Sequence, residues 1–291
     1  MRLKAELLSA VERLTEAHVP SPRRNAELLL MFTLGCDRAY LYAHPERDLT
    51  RDEVRRYHAA LSERSRGVPA QYITGHQEFW GMDLMVTPAV LIPRPETEHV
   101  VETVLELVHR ETAGGEEHPH PATGWRMVDV GTGSGCIALA LAKELPQTEM
   151  HATDISLAAL EIARVNAARH QLESRIHFHR GDLLEGLPEN TFDLIVSNPP
   201  YVGEAEENQV QLEVRKFEPR SAVFAGHSGT ETIARLVPQS GARLRVGGWL
   251  VMEISGTIVD ATKGLLTGWQ DLRIVKDLQD IPRVVAARKK I

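Results

Sequence analysis

The sequence predicts an α/β protein in two parts, a small N-terminal helical bundle followed by a parallel sheet with helices packed on both faces. Three observations carry this. The first 75 residues show helical spacing only, a proline-bounded stretch of β-type residues follows, and beyond Gly124 strand-length apolar runs alternate with helical patterns. A length of 291 residues, 43% hydrophobic and 25% charged, suits a globular chain with one large or two unequal domains.

Taken in order, "LKAELLSAVERLTEA" and "PRRNAELLLMFTLG" place apolar residues three and four apart; the second opens on Pro22, suited to a first helical turn, and stops at Gly35. "TRDEVRRYHAALSERSRG" continues the pattern with Thr50 as its N-cap. The arginines here alternate with acids, as on a solvated, ion-paired face. In "HQEFWGMDLMVTPAVLIPRPETE", Gly81 and Thr87-Pro88 interrupt β-type residues, which predicts a short hairpin and an extended connector. "PETEHVVETVLELVHR" is an amphipathic helix with acids in its first turn. Strands are expected at "WRMVDVG", "TEMHATD", "RIHFHRGD", "FDLIVSN" and "GGWLVMEIS", with helices such as "CIALALAKEL" and "LAALEIARVNAARH" between them. The expected domains are residues 1–75, a helical docking domain; 76–95, the hairpin connector; and 96–291, the sheet domain.

Composition excludes several classes. Acids outnumber Lys and Arg by 40 to 33, a formal charge of -7, so a protein built to grip nucleic acid stably is not expected. Cys36 and Cys136 match no metal spacing and read as free thiols. His118 and His120 in "HPHP" lack a clear third ligand, so no metal is expected. The opening "MRLKAELLSAVERL" intersperses charge with leucine, unlike a signal peptide or spanning helix; a cytoplasmic location and no membrane partner follow as expectations.

In a parallel sheet, binding groups lie on loops leaving the carboxyl ends of strands. The first such loop is Gly131-Thr132-Gly133-Ser134-Gly135, whose glycines permit a sharp turn and close backbone approach before a helix N-terminus. Asp154 follows about 20 residues later at the next strand end, in place for ribose hydroxyls. The nicotinamide fingerprint would want glycine where Cys136 stands, so the pattern points to a different nucleoside ligand. Tight helix–sheet packing is the other reading of these glycines. Asp182 closes the third strand. The fourth runs into Asn198-Pro199-Pro200-Tyr201, where two prolines stop the ladder and stiffen the chain. An amide side chain, a backbone carbonyl and an aromatic face suit a planar amide or amino group; an ordinary turn is the alternative.

With these four strand ends in place, the chain resembles the class I (Rossmann-like) methyltransferases that use S-adenosyl-L-methionine, and within them the N-methylating branch marked by (D/N/S)-PP-(Y/F/W). "LIPRPETE", "VDVGTGSGCIALALA", "FDLIVSNPPYV", "FEPRSAVFAG", "GGWLVMEI" and "DLQDIPRVVAAR" occur in the order seen in the PrmC/HemK family, and "GVPAQYITGHQEFWG" extends the resemblance to nearly the whole chain. "EISGTIVD", Ile281-Pro282 and "AGHSGTE" depart from that family's pattern. The resemblance implies methylation of the side-chain nitrogen of the GGQ glutamine in class-1 peptide release factors. It implies that Gly131 to Gly135 underlie the amino-acid part of the cofactor, that Asp154 takes the ribose, and that Asp182 and Leu183 border the adenine. Asn198, Pro199, Pro200 and Tyr201 would hold the substrate amide. Roles for Arg94, Glu96, Glu218 and Arg220 stay open between capping or bracing and contact. An N6-adenine DNA or guanine-N2 RNA methyltransferase, and a binding module without catalysis, are the competing readings.

Overall fold

A computed structural model describes residues 2–113 and 124–290; the His118 and His120 pair falls outside them. The chain divides into two compact units, Met1–His76 with Gln211–Phe217, and Gln77–Val210 with Glu218–Ile291.

The smaller unit is built from α1 (Leu3–Glu16), α2 (Pro22–Leu34), α3 (Arg38–Ala43), α4 (Arg51–Ser65) and α5 (Ala70–Thr74). Pro22 occupies the first turn of α2, and Gly35 ends the helix in the left-handed conformation that a side chain would strain. Thr50 and Glu53 close a reciprocal capping box at the start of α4. Leu14, Leu29, Leu30 and Leu61 form the core with Tyr57, whose hydroxyl donates to the Ala26 carbonyl at 2.9 Å. Among the arginines described in this unit, Arg64 departs from the solvated charge pattern. It is buried, and it donates to Asn25 at 2.7 Å, the Val68 carbonyl at 3.0 Å and Glu213 at 2.6 Å, which ties residues 211–217 into this unit.

The larger unit opens with a hairpin, β1 (His76–Phe79) and β2 (Met82–Met85), turning at Trp80-Gly81. Phe79, Met82 and Leu84 are buried in one cluster with Val100 and Val104 of α6 (Glu98–Ala113). The stretch expected as a connector is thus part of this unit's core. Then come β3 (Arg126–Val130), α7 (Cys136–Glu144), β4 (Glu149–Asp154), α8 (Leu157–Arg169), β5 (Ile176–Arg180), β6 (Phe192–Ser197) and β7 (Val202–Gly203). After α9 (Leu212–Phe217) follow α10 (Arg220–Val223), β8 (Phe224–Gly226), α11 (Glu231–Arg243), β9 (Leu244–Glu253), α12 (Val259–Leu265), β10 (Gln270–Lys276) and β11 (Pro282–Arg288).

The main sheet has seven strands in the order β10-β11-β9-β6-β3-β4-β5. Five strands from β9 to β5 are parallel, as the alternation predicts, while β11 and β10 add an antiparallel edge that periodicity had not marked. Both faces are covered, so neighbouring residues bury on opposite sides. Met127 enters the cluster with α6 and α7, whereas Val128 and Val130 enter the one with α11. From β3 the chain fills one side through β4 and β5, then crosses back to place β6 on the other. The crevice at the carboxyl ends of β3 and β6 is therefore the topological switch point. Among the described residues, no helix is long and apolar enough to cross a membrane.

Candidate active site

Parallel register brings the strand ends level: Val130 pairs with Thr153 on β4 and Ser197 on β6, and Ser197 pairs with Met252 on β9. The loops that follow surround a cavity of about 290 Å³, lined by Gly131 to Ser134, Asp154, Asp182, Leu183, Asn198 and Pro200 among others. Its walls thus combine residues from four strand ends far apart in sequence.

Gly131 and Gly133 have φ of 71° and 55°, and no atom lies within 4 Å of where a Cβ would stand on either, so the loop presents bare backbone to open space. The Gly131 and Thr132 amides donate to the Thr153 carbonyl, both at 2.9 Å. Asp154 fastens the second loop to the first, accepting from the Gly133 amide at 2.9 Å and the Ser156 amide at 2.8 Å. Burial raises its carboxyl above the ordinary aspartate range, with these backbone donors pulling the other way. Gly135 differs from its neighbours. It is buried at the start of α7, does not line the cavity, and a Cβ there would lie 3.1 Å from Leu139 and 3.3 Å from Ala163. The packing reading therefore holds for this one glycine, and Gly135 is not a cavity residue. Cys136 packs against the buried cluster that includes α6 and α7, as a thiol in a packed position does, and also borders the cavity, and burial pushes its thiol up to about 12.

Asp182 is half-buried and ion-paired with Arg235, which also lines the cavity. Leu183 holds φ of 56°, unusual for a residue with a side chain, and its carbonyl accepts the Thr153 hydroxyl at 2.9 Å. This bond fixes the turn that puts Leu183 on the wall.

At the end of β6 the proline pair does as expected and stops the ladder. Asn198 and Pro200 line the cavity, whereas Pro199 is buried and neither it nor Tyr201 is part of the lining. Tyr201 instead turns its hydroxyl onto Glu253 Oε1 at 2.9 Å and packs its ring on the cluster beneath. The other oxygen, Oε2, accepts the Thr97 hydroxyl at 2.6 Å, and Thr97 Oγ1 accepts the Asn198 side-chain N–H at 3.1 Å. Glu253 and Thr97 are 2% and 1% exposed, so water does not compete for this chain of hydrogen bonds. Burial raises the Glu253 carboxyl above its ordinary range, opposed by the two hydroxyl donors.

The open roles resolve into bracing and wall-building. Glu218 is buried and receives the Ile92 amide at 3.0 Å and the Arg94 guanidinium, so it ties the segment before α6 to the one after the prolines. Arg94 lines the cavity, Glu96 does not, and Arg220 pairs with Glu207 in solvent. The sequence reading missed Thr97, Asp129, Arg235 and Glu253. Asp129 and Glu253 carried one visible signal: each is an acid within an apolar strand that is buried on both faces, where a charge persists only with partners. Among the described residues, no group of side chains has the makings of a metal site.

Comparison with known proteins agrees with this arrangement. Residues 7–75 match the PrmC N-terminal domain and residues 117–216 the methyltransferase small domain. A release factor glutamine methyltransferase of Koribacter versatilis is 53% identical over 290 residues, covering 99% of each chain. Proteins of the same description from Xylella fastidiosa and Rhodopirellula baltica are 41% and 38% identical, over 96% and 92% of this chain and 98% and 90% of theirs. The hMettl16 catalytic domain, solved with a MAT2A 3′UTR hairpin, superposes with a TM-score of 0.55 at 18% identity, over 78% of this chain and 81% of that one, and shares the fold. Identity at this level over the full chain, joined to a glycine loop and an Asn-Pro-Pro-Tyr strand end at one switch point, places the protein in the release factor glutamine methyltransferase family.

Proposed function

We propose that this chain transfers a methyl group from S-adenosyl-L-methionine to the side-chain amide nitrogen of the GGQ glutamine of class-1 release factors. The cavity fits this cofactor: a bare glycine face to lie against, a carboxylate at the next strand end for ribose hydroxyls, and Asp182 and Leu183 to border a base. When bound there, the cofactor supplies an electrophilic sulfonium methyl.

The observation that carries the reading is the orientation of Asn198. One of its two amide N–H groups is given to Thr97 on the cavity wall, so Oδ1 is left as an acceptor for a substrate N–H. The family resemblance assigns the second N–H to the backbone carbonyl of Pro199, a residue that is itself buried and off the cavity wall, so Asn198 Oδ1 is the acceptor that aims the glutamine nitrogen at the methyl. An amide nitrogen is a poor nucleophile because its lone pair is delocalised into its carbonyl. Holding it in line with the electrophile supplies roughly 7–11 kcal/mol of barrier reduction, and dipoles directed at the positive charge developing on nitrogen add to this. The alkylated nitrogen is strongly acidic and loses its proton without a dedicated base. Tyr201, with its hydroxyl held by Glu253 and its ring packed on the buried cluster, braces the backbone that follows the prolines. The helical unit, residues 1–75, docks the release factor, and the work belongs to the cytoplasm.

The test is transfer from labelled cofactor to a purified class-1 release factor, beside the same factor with its GGQ glutamine replaced by alanine, duplex DNA and ribosomal RNA. Label on the wild-type factor alone is expected. Equal label on the alanine form would refute the glutamine target, and label on nucleic acid would transfer the Asn198 acceptor to an exocyclic base amine.

A further inference from the structure

The hydrogen-bond chain behind Asn198 has a direction, and the direction is set at its far end. A threonine hydroxyl carries one hydrogen. In this site that hydrogen is given to Glu253 Oε2 at 2.6 Å, so Thr97 Oγ1 faces Asn198 with lone pairs only. An asparagine amide can meet lone pairs only through its NH₂ end, because the carbonyl end would place two acceptors together in a buried site. The carboxylate is thus what forbids the flipped amide. Its second oxygen receives the Tyr201 hydroxyl at 2.9 Å, so the same group also fixes the ring that follows the prolines.

We propose that Glu253 is a positioning residue for methyl transfer, setting through Thr97 which end of the Asn198 amide faces the substrate and through Tyr201 the pose of the adjacent ring. The inference rests on the reading of Asn198 as the substrate acceptor and adds two residues, Glu253, which does not line the cavity, and Thr97, which forms part of its wall. Three separate segments must meet for it to operate. Thr97 lies in the single 3₁₀ turn before α6, Asn198 follows β6, and Glu253 ends β9, whose pairing of Met252 with Ser197 sets Glu253 level with Asn198. Thr97 and Glu253 are buried and hydrogen-bonded to their neighbours in the chain, so the arrangement is held before substrate arrives, as transition-state positioning requires. A glutamine at residue 253 keeps the shape and removes the direction, since its amide can donate to Thr97 as well as accept from it.

Glu253→Gln, Thr97→Val, Thr97→Ser and Asn198→Ala are compared in single-turnover transfer to a release factor, with cofactor Kd from calorimetry and thermal melting alongside. Glu253→Gln and Thr97→Val are expected to lower kcat roughly 10- to 100-fold, the scale of a misplaced reacting group. Cofactor Kd and release-factor KM stay near wild type. Thr97→Ser restores the rate, because serine keeps the one-hydrogen relay, and Thr97→Val adds nothing in an Asn198→Ala background. Wild-type kcat in Thr97→Val beside a crippled Asn198→Ala overturns this inference and spares the functional reading. Wild-type kcat in Asn198→Ala overturns the reading itself. A loss that raises KM or Kd with kcat unchanged, or that multiplies with Asn198→Ala, assigns the network to structure alone. Should Glu253→Gln fail to fold, the Thr97→Val and Thr97→Ser pair decides, since serine rescue has no structural counterpart there.

Discussion

Two strand ends in the larger unit are each held by a buried acid, and they are built on opposite plans. At the end of β3, Asp129 accepts the Thr132 hydroxyl at 2.6 Å and the Ala138 amide at 3.2 Å. Its partners lie three and nine residues away, so a single loop-and-helix segment closes on itself. At the end of β9, Glu253 accepts from Thr97 and Tyr201, which lie 156 and 52 residues away, and reaches Asn198 only through Thr97. The glycine end is local, and its job is to hold backbone in one shape. The asparagine end is assembled by topology, and its job is to aim one side chain. A cofactor cradle needs shape, which a contiguous segment can encode, while a directed acceptor needs a polarity that only distant groups can impose.

The largest effect expected is at the aimed side chain. Asn198→Ala removes an acceptor present for the reacting nitrogen and lowers kcat by roughly 10²–10³-fold, with cofactor binding retained; single-turnover transfer and calorimetry separate the two. Next is Asp154→Ala, which strips a charged acceptor from the Gly133 and Ser156 amides and from any ribose hydroxyl. It is expected to weaken cofactor binding roughly 10- to 100-fold while leaving the rate at saturating cofactor closer to wild type. A larger fall in kcat than in affinity would blur the division between the two ends.

The glycines sharpen the comparison within one loop. Gly135→Ala forces a Cβ against Leu139 and Ala163 in a left-handed backbone and should cost about 1–3 kcal/mol in denaturant melts. Gly131→Ala meets no neighbour, so its cost should be the smaller backbone strain of about 1 kcal/mol together with loss of cofactor affinity as the methyl enters the open face. The last effect is a slope with pH and not a single loss. Burial pushes the Asp129 carboxyl up to about 7 from its ordinary 3.8, and its Oδ1 is buried without a partner. An acid whose folded pKa is raised binds its proton more tightly when folded. Its contribution is therefore complete below about pH 4 and is lost as pH rises through about 7, at up to ~1.4 kcal/mol per pH unit. Asp129→Asn should remove that slope from unfolding free energies measured across the window. His151 and His179, lowered chiefly by burial, give a slope of opposite sign that weakens the fold as pH falls below about 6.5, and the Asn variant should leave it in place.

What could be read along the chain was whatever neighbours in sequence enforce. Pro22, Gly35 and Thr50 marked helix ends because a first turn, a left-handed stop and a cap are decided within a few residues. Alternating strand and helix patterns predicted the parallel sheet, and Gly131, Gly133, Asp154 and Asn198 were legible because that architecture fixes which loops carry ligands. The edge strand β10 was not legible, since a partly exposed strand lacks the apolar run of a central one, while β11 buries Val284 to Ala287 and takes its antiparallel place only by pairing with β9. Gly135 is a packing position because α8 brings Ala163 against it, a contact that the loop's own residues do not announce. Thr97 and Glu253 are a threonine in a turn and an acid at a strand end until β6 and β9 align. Neighbours along the chain suffice to specify the glycine turn after β3 and the proline stop after β6. Which end of the Asn198 amide meets Thr97 is left to the folded arrangement, because hydrogen-bond polarity is a property of the partners that folding brings together.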